Sequence, residues 1–445
     1  MNYTVIGAGK SGFAAAKLAV SLGHKAFLTE SKSHETFGIE IDELSDLGVF
    51  MEFGGHGPAA LDSADCVIVS PGVPPSSPVI TEAELRGIPV IGELEFGRLH
   101  LPDNPLIAIT GTNGKTTTTA LIEYILRQAG KSAVAAGNIG TPLSALAGKI
   151  SHDTIIVAEA SSYQLDRTVK FRPDAAVVLN ITPDHLSYHG SFEAYCRAKY
   201  NITLNQSEKD LLILNADDAA TAACAALSRA RTEYLSMFPV GAGIYCDGTS
   251  LILPNHKQHS EGKLMLYDEL RLPGAHNCYN SMAAALAARA FEVRNENIRD
   301  SLMSFAGVEH RLEFVRSFNG TEFVNDSKAT NVNAAWYALS SYSSPIVWIA
   351  GGRGDNNDYS ALDALVRANV RCIVAIGEEQ SAIFDHFCLM TRCKKAASLE
   401  EAVQIAAETA AEGDVALFSP ACKSFDMFMN YEHRGQVFKQ AALGL

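Results

Sequence analysis

Residues 111–117 read GTNGKTT, preceded by the apolar run PLIAIT and followed by the helix-like stretch TTALIEYILRQAG. Gly111 and Gly114 can take backbone angles closed to other residues, so such a loop can turn its N–H groups inward around phosphate oxygens. The helix that opens near Lys115 would add the positive end of its dipole. Lys115 can reach β- and γ-phosphates, and Thr116 can offer its hydroxyl to Mg²⁺. Thr112, Asn113 and Thr117 complete the stretch. The eight-residue phosphate-loop pattern is only half present, because its first glycine position falls inside the strand. A glycine-rich turn without ligand is the plain alternative. The register of strand, glycines, lysine and threonine favours ATP. Such a loop does not say where a phosphoryl group goes: water would make an ATPase, a hydroxyl a kinase and a carboxylate a ligase.

A second anion cradle stands near the N-terminus, in TVIGAGKSG at residues 4–12. Gly7, Gly9 and Gly12 match the Gly-x-Gly-x-x-Gly pattern, and a helix from Ser11 would present N–H groups to a diphosphate. Glu30 stands where an NAD-binding protein would hold a ribose hydroxyl. A dinucleotide and a sugar nucleotide both carry a diphosphate, so this loop alone admits either.

Both loops need strands that deliver them and helices that follow. The N-terminal ninety-odd residues alternate strand and helix: NYTVIGAG, then SGFAAAKLAVSLG with Gly23 as a stop, then the strands KAFLTE and DCVIVSPG. A second unit begins at PLIAIT and continues through DTIIVAEA, DAAVVLNI and DLLILNA. A third contains PIVWIAGG, RCIVAIGE and DVALFSPA, separated by helical stretches such as LEEAVQIAAETAAEG. The rhythm predicts an α/β chain of three consecutive domains with mainly parallel sheets, with boundaries at 1–94, 95–306 and 307–445.

Composition narrows the partners. At 445 residues the chain is too long for one ordinary domain, and 47% hydrophobic content supplies substantial cores. The net charge of −14 argues against a general nucleic-acid or anionic-membrane surface. It leaves room for small anions held by local cations. Nine scattered cysteines, none in Cys-x-x-Cys spacing, read as reduced thiols of a cytoplasmic protein. Neither a signal segment nor a membrane-spanning run is expected.

GTNGKTT is followed in order by EASSYQL (159–165), NITPDHLSYHG (180–190), YCRAKYNI (195–202), GAHNCYN (274–280), EHRLE (309–313), NDSKATN (325–331) and SPACKSFD (419–426). This set resembles the Mur ligase family, which builds the peptide stem of bacterial cell-wall precursors. With GAGKSG, DSKATN and SPACKSFD together, it most resembles the MurD type, which adds D-glutamate. The resemblance covers nearly the whole chain. It implies a Rossmann-like N-terminal domain, a central P-loop ATPase-like domain and a Rossmann-like C-terminal domain. The implied reaction is phosphorylation by ATP of the terminal carboxylate of UDP-N-acetylmuramoyl-L-alanine. The D-glutamate amine then attacks the acyl phosphate, and a tetrahedral intermediate collapses to the amide. A monomer serving peptidoglycan synthesis, cell shape and division is the implied setting.

The resemblance also assigns residues. Thr116 and Glu159 would hold one Mg²⁺, and Glu159 with His185 a second. Lys199 would be carbamylated, converting a cation that repels metal into an oxygen ligand; a solvated helix lysine is the alternative. A loop or helix-capping histidine is the alternative for His185. Lys115, His185 and Lys199 are the implied catalytic set. Asn280, Arg311 and Asp326 would face the adenine end, with His276 and Asn277 nearer the phosphates; helix capping is the alternative for Asn277 and Asn280. Lys10, Ser11, Ser31, Lys32, Ser70 and Gly72 would surround the uridine diphosphate. Asn138, Gln164 and His185 would face its sugar-peptide portion. Lys328, Thr330, Ser424, the N–H of Phe425 and Tyr431 would hold D-glutamate.

One departure bears on specificity. The family commonly places a lysine after the GG of the third domain, whereas this chain reads AGGRGDNNDY, with Asp355 at that position. Arg353 or Lys423 must then supply the charge, or the amino acid differs. A Mur-type ligase for another amino acid is thus the nearest rival. Folylpolyglutamate synthase would lack the N-terminal unit. An NAD-dependent oxidoreductase would use residues 4–30 and leave the rest idle. A non-catalytic nucleotide-binding regulator would not need Lys199, His185 and Glu159 together.

Overall fold

The computed structural model describes residues 1–37, 40–255, 260–272, 274–354 and 357–445. The chain divides into two compact units, 1–270 with 279–304, and 271–278 with 305–445.

The first unit carries two sheets. The N-terminal one has five parallel strands: β1 Asn2–Ile6, β2 Lys25–Glu30, β3 Phe50–Phe53, β4 Cys66–Val69 and β5 Val90–Gly92. Their order is β3-β2-β1-β4-β5. Strand order reverses between β1 and β4, so a crevice opens at the carboxyl ends of those strands, where ligands of open α/β sheets bind. The helix Lys10–Ser21 covers β1 with a buried face rich in small residues, Gly12, Ala14, Ala15, Ala16 and Ala19, beside Phe13 and Leu18. Gly12 has a steric reason: a Cβ there would overlap the Gly7 carbonyl. Gly23, at φ +78°, stops the helix, and the Gly23 and His24 N–H groups donate to the Val20 and Ala19 carbonyls.

The second sheet runs β6 Leu106–Thr110, β7 Ala133–Gly137, β8 Ile155–Glu159, β9 Ala175–Val178, β10 Leu211–Asn215, β11 Arg231–Ser236, β12 Gly243–Cys246, β13 Ser250–Asn255 and β14 Ser260–Leu266. Its order is β14-β13-β12-β11-β10-β9-β6-β8-β7. β6 to β12 pair in parallel, and β13 and β14 extend the edge antiparallel. β6, β8, β9 and β10 are buried along their whole length, as expected of strands covered on both faces. β6 lies between β8 and β9, so the residues that follow these three strands come together at one end.

The second unit has one sheet: β15 Glu313–Phe318, β16 Thr321–Asn325, β17 Ile346–Gly351, β18 Val370–Ile376, β19 Arg392–Lys395 and β20 Val415–Phe418. The order is β15-β16-β20-β17-β18-β19, parallel except for the β15–β16 hairpin. The strands expected from apolar runs are all present. The short β3 and β5, β7, the β11–β14 extension, the β15–β16 hairpin and β19 were not expected. Among the described residues no helix is long and apolar enough to cross a membrane, and all nine cysteines are free thiols.

Candidate active site

The GTNGKTT loop joins β6 to the helix Lys115–Gln128. Gly111 sits at φ +153° and Gly114 at φ +85°, and a Cβ on Gly114 would collide with Asn280 Oδ1. Neighbouring strand ends fix the loop. The Thr112 N–H donates to the Asn180 carbonyl and the Asn113 N–H to Asn180 Oδ1, both at 2.8 Å. Asn180 Nδ2 returns a bond to the Asn113 carbonyl at 3.1 Å. Asn180 follows β9, so its bracing role arises from β9 lying beside β6. The sequence reading gave it none, although an asparagine ending an apolar strand was a signal.

Thr116 Oγ1 donates to Glu159 Oε2 at 2.8 Å, and Asn138 Nδ2 donates to Glu159 Oε1 at 2.9 Å. Thr116, Thr117 and Glu159 are buried. A hydroxyl and a carboxylate side by side on a phosphate loop form an all-oxygen donor set that suits a hard cation such as Mg²⁺. Lys115 Nζ folds back onto the loop, 2.8 Å from the Gly111 carbonyl and 2.9 Å from that of Thr112. Asn113 Nδ2 is buried with no hydrogen-bond partner among the described residues, a donor suited to an incoming acceptor. Asn280 does not cap a helix: it lies inside Ala275–Ala290, where Oδ1 accepts from Thr118 Oγ1 at 3.2 Å.

Lys199 is not a solvated helix lysine. It is buried in the helix Phe192–Tyr200, and its Nζ donates to the Gly111 carbonyl at 2.8 Å. Burial first, and the Lys115 charge second, push its pKa well down. Tyr195, one turn earlier, lies under that Nζ at 4.6 Å, and its hydroxyl is 3.0 Å from Thr112 Oγ1. His185 precedes the helix Leu186–His189 with φ +54° and an exposed side chain against Tyr163, ring centroids 4.9 Å apart. Gln164 completes a capping box with Ser161, and its Nε2 is buried without a partner among the described residues.

At the N-terminal loop, Lys10 and Ser11 open the helix after Gly9. Ser70, at the end of β4, donates its hydroxyl to the Gly7 carbonyl at 3.0 Å, and Gly72 lies in the exposed turn that follows. Glu30 is turned inward. Oε2 accepts the Ala8 N–H at 2.8 Å, and Oε1 accepts the Ser31 hydroxyl and the Lys32 N–H, each at 2.9 Å. Its pKa is lowered: burial works the other way, but the hydrogen bonds from Ala8, Lys32 and Ser31 outweigh it. The carboxylate therefore braces the loop and is not set out for a ribose hydroxyl. Lys10, Ser31 and Lys32 are exposed beside it.

In the second unit, Asp326 follows β16. Oδ2 accepts from Ser419 Oγ at 2.8 Å, and burial pushes its pKa up to about 6 against the pull of Arg311. Arg311 Nε is buried without a partner among the described residues. His276 is packed against Tyr337, and burial followed by Arg311 lowers its pKa to about 4. Lys328 Nζ lies over the Tyr431 ring at 5.5 Å, and Thr330 N–H donates to the Lys328 carbonyl. Ser424 is buried and Phe425 exposed. Arg434, which the sequence reading did not single out, is buried. It donates to Ser327 Oγ (3.1 Å), the Ser327 carbonyl (2.7 Å) and the Cys422 carbonyl (3.0 Å), clamping the DSKATN and SPACKSFD loops together. Arg353 is bidentate with Glu378 at 2.8 and 3.1 Å, and its backbone pairs with Lys423 in both directions at 2.9 Å. Asp355 lies outside the described residues.

Sequence signatures of three families match along the chain: the MurD-like N-terminal domain of Mur ligases at residues 1–92, the Mur ligase middle domain at 109–288 and the Mur ligase glutamate ligase domain at 310–422. The UDP-N-acetylmuramoylalanine--D-glutamate ligase of Salinibacter ruber is 44% identical over 98% of this chain and 96% of its own. The protein of the same name from Acidobacterium capsulatum is 43% identical over 99% and 95%. Among solved structures, UDP-N-acetylmuramate-alanine ligase MurC from Thermotoga maritima superposes with a TM-score of 0.61 at 19% identity, covering 100% of this chain and 99% of that one. MurF from Acinetobacter baumannii gives 0.62 at 17% identity, covering 99% and 93%. These two structures share the fold. With the phosphate loop, its Thr116–Glu159 pair and the full-length sequence relation on one chain, the protein belongs to the Mur ligase family, on its MurD-like branch.

Proposed function

We propose that this chain is an ATP-dependent ligase that joins D-glutamate to UDP-N-acetylmuramoyl-L-alanine in peptidoglycan precursor synthesis. The observation that carries the reading is the Thr116 hydroxyl against the Glu159 carboxylate beside the glycine loop. It supports an oxygen-lined cation site beside a loop that would cradle a nucleotide's phosphates. The named relatives supply the amino acid and the acceptor. The oxidoreductase alternative finds no support: Glu30 is engaged by its own loop, and the relatives reported above are ligases.

In this reading the domains span 1–94, 95–306 and 307–445. Gly111 to Thr117 cradle the phosphates, and Asn280, Arg311 and Asp326 serve the adenine end. Thr116, Glu159, His185 and a carbamylated Lys199 hold two Mg²⁺ ions. Bound Mg²⁺ neutralises the phosphate charge that would otherwise repel the acceptor carboxylate. Lys115 leaves the loop carbonyls to meet that charge as it develops. Burial disfavours the protonated form of Lys199, and the neutral amine is the form that takes up CO₂. Lys10, Ser11, Ser31, Lys32, Ser70 and Gly72 hold the uridine diphosphate; Asn138, Gln164 and His185 orient the sugar-peptide end.

D-Glutamate sits among Lys328, Thr330, Ser424, Phe425 and Tyr431. Arg353, which pairs with Glu378, or Lys423, which directly precedes Ser424, supplies the positive charge for its side chain. The enzyme works as a cytoplasmic monomer. The deciding assay is phosphate release with ATP, Mg²⁺ and UDP-N-acetylmuramoyl-L-alanine, offering single amino acids. Stimulation by D-glutamate alone is expected; stronger stimulation by L-lysine or meso-diaminopimelate overturns the reading.

A further inference from the structure

The segment that ends the N-terminal sheet reads Gly92-Glu93-Leu94-Glu95, and both glutamates are 1% exposed. Ionisable side chains are almost never this deep unless something there requires them. The Glu95 carboxylate accepts three consecutive backbone N–H groups, from Val169 (3.1 Å), Lys170 (2.8 Å) and Phe171 (2.9 Å). Glu93 Oε1 accepts the Ser144 N–H at 2.7 Å, while its Oε2 is buried without a partner among the described residues. Burial pushes the Glu93 pKa up against the pull of the Ser144 hydrogen bond. The Gly92 N–H donates to the Arg167 carbonyl at 2.9 Å.

Each anchored segment lies just downstream of a residue that faces the sugar-peptide end of the substrate. Ser144 follows Asn138 through a loop closed by the bond from the Gly137 N–H to the Thr141 carbonyl at 2.9 Å. Val169 to Phe171 follow Gln164 through a turn closed by Thr168 Oγ1 on the Leu165 carbonyl at 2.8 Å. Asn138 in turn holds Glu159. Three converging backbone donors need an acceptor with lone pairs on both oxygens; an amide would set its own NH₂ against them.

We infer that Glu93 and Glu95 are positioning residues for UDP-N-acetylmuramoyl-L-alanine, tying the sheet that holds its diphosphate to the two loops that hold its sugar-peptide end. The inference rests on the assignment of Asn138 and Gln164 to that substrate. Neither glutamate touches the reacting atoms; they act through the loops.

Steady-state kinetics on the full-length enzyme test this with each substrate varied in turn. Glu95→Gln is expected to raise KM for the UDP substrate by about tenfold or more, with KM for ATP within about twofold of the parent. Glu93→Ala should do the same, and Glu93→Gln should recover, since a neutral amide keeps the one acceptor that Ser144 uses. Glu95→Asp, which keeps the charge but shortens its reach, provides a second reading should Glu95→Gln fail to fold. Equal rises in both KM values, or a fall in melting temperature with both KM values unchanged, overturn the inference. Gln164→Ala separates it from the site assignment. No change in KM for the UDP substrate on Gln164→Ala would count against the assignment. A rise there with none in Glu95→Gln would count against the positioning role alone.

Discussion

Lys115 and Lys199 donate to the same oxygen: each Nζ lies 2.8 Å from the Gly111 carbonyl. Two ammonium groups on one acceptor repel each other, and the deeper one yields. Lys199 is the more deeply buried of the two, and burial first, with the Lys115 charge second, drives its pKa well down, while Lys115 is half-buried. The loop thus sets a half-buried lysine beside a deeply buried one whose protonated form is disfavoured.

Lys115→Ala removes the cation aimed at the transferred phosphoryl group. Turnover is expected to fall by at least about 10²-fold, the order found when one preorganised charge stabiliser is deleted. The melting temperature should stay near that of the parent, because the Gly111 carbonyl keeps its bond from Lys199. ADP formation at saturating substrates is the measurement. Retained turnover would remove the phosphate-loop assignment.

Lys199 links the loop to pH. Between the depressed folded pKa and the ordinary value near 10.5 the unfolded chain binds a proton on this lysine that the folded chain binds poorly, so stability rises with pH over that interval. Lys199→Met removes that contribution. Melting curves at pH 7 and pH 9 should show the parent gaining on the variant as pH rises. Lys199→Ala should lose most ligase activity and regain part of it with added short carboxylates, which stand in for a carbamate; absence of rescue argues against carbamylation.

The legible parts of this molecule are those whose chemistry is local. Gly111, Gly114, Lys115 and Thr116 could be read because a phosphate loop is one short stretch between a strand and a helix. Glu159 could be read because it ends a wholly apolar strand. The depth of Lys199 could not, since it depends on how its helix packs over the β6 loop and not on its neighbours in FEAYCRAKY. Asn180 required knowing that β9 lies beside β6. Arg434 looked like one more polar residue in a helix of mixed character until its partners, Ser327 and Cys422, were brought to it by β16 and β20. Glu30 occupies the position expected of a ribose acceptor, but the turn of its side chain toward Ala8 is decided by the fold.

Asp326 gives a pH dependence of the opposite sign. Its carboxyl, buried and raised from 3.8 to about 6, binds a proton in the folded chain at pH values where the unfolded chain has lost it. Its contribution is therefore fully present below pH 4 and is lost as pH rises toward 6, amounting to about 3 kcal/mol at most. Asp326→Asn should flatten this slope. The amide oxygen can still accept the Leu312 N–H, and the Ser419 hydroxyl can rotate to accept from the amide. Denaturant unfolding at pH 4, 5 and 6.5 measures it; an unchanged slope would place the titrating group elsewhere.

Arg434 carries the last prediction. Its guanidinium is pushed down to a pKa of about 10 by burial, yet remains charged at neutral pH. It satisfies the Ser327 and Cys422 carbonyls at once, which a single ammonium on a flexible stem cannot reproduce. Arg434→Met would leave both carbonyls buried without their donor, at a cost of about 3 kcal/mol. Because Lys328 follows Ser327, and Lys423 and Ser424 follow Cys422, loosening the clamp should raise KM for D-glutamate more than KM for UDP-N-acetylmuramoyl-L-alanine. Arg434→Lys should recover part of the stability but little of the D-glutamate affinity, since one ammonium can hold one loop and not the pair. Chemical denaturation and KM for each substrate read the two effects separately. A stability loss with KM for D-glutamate unchanged would make Arg434 a core residue without a part in the amino-acid site.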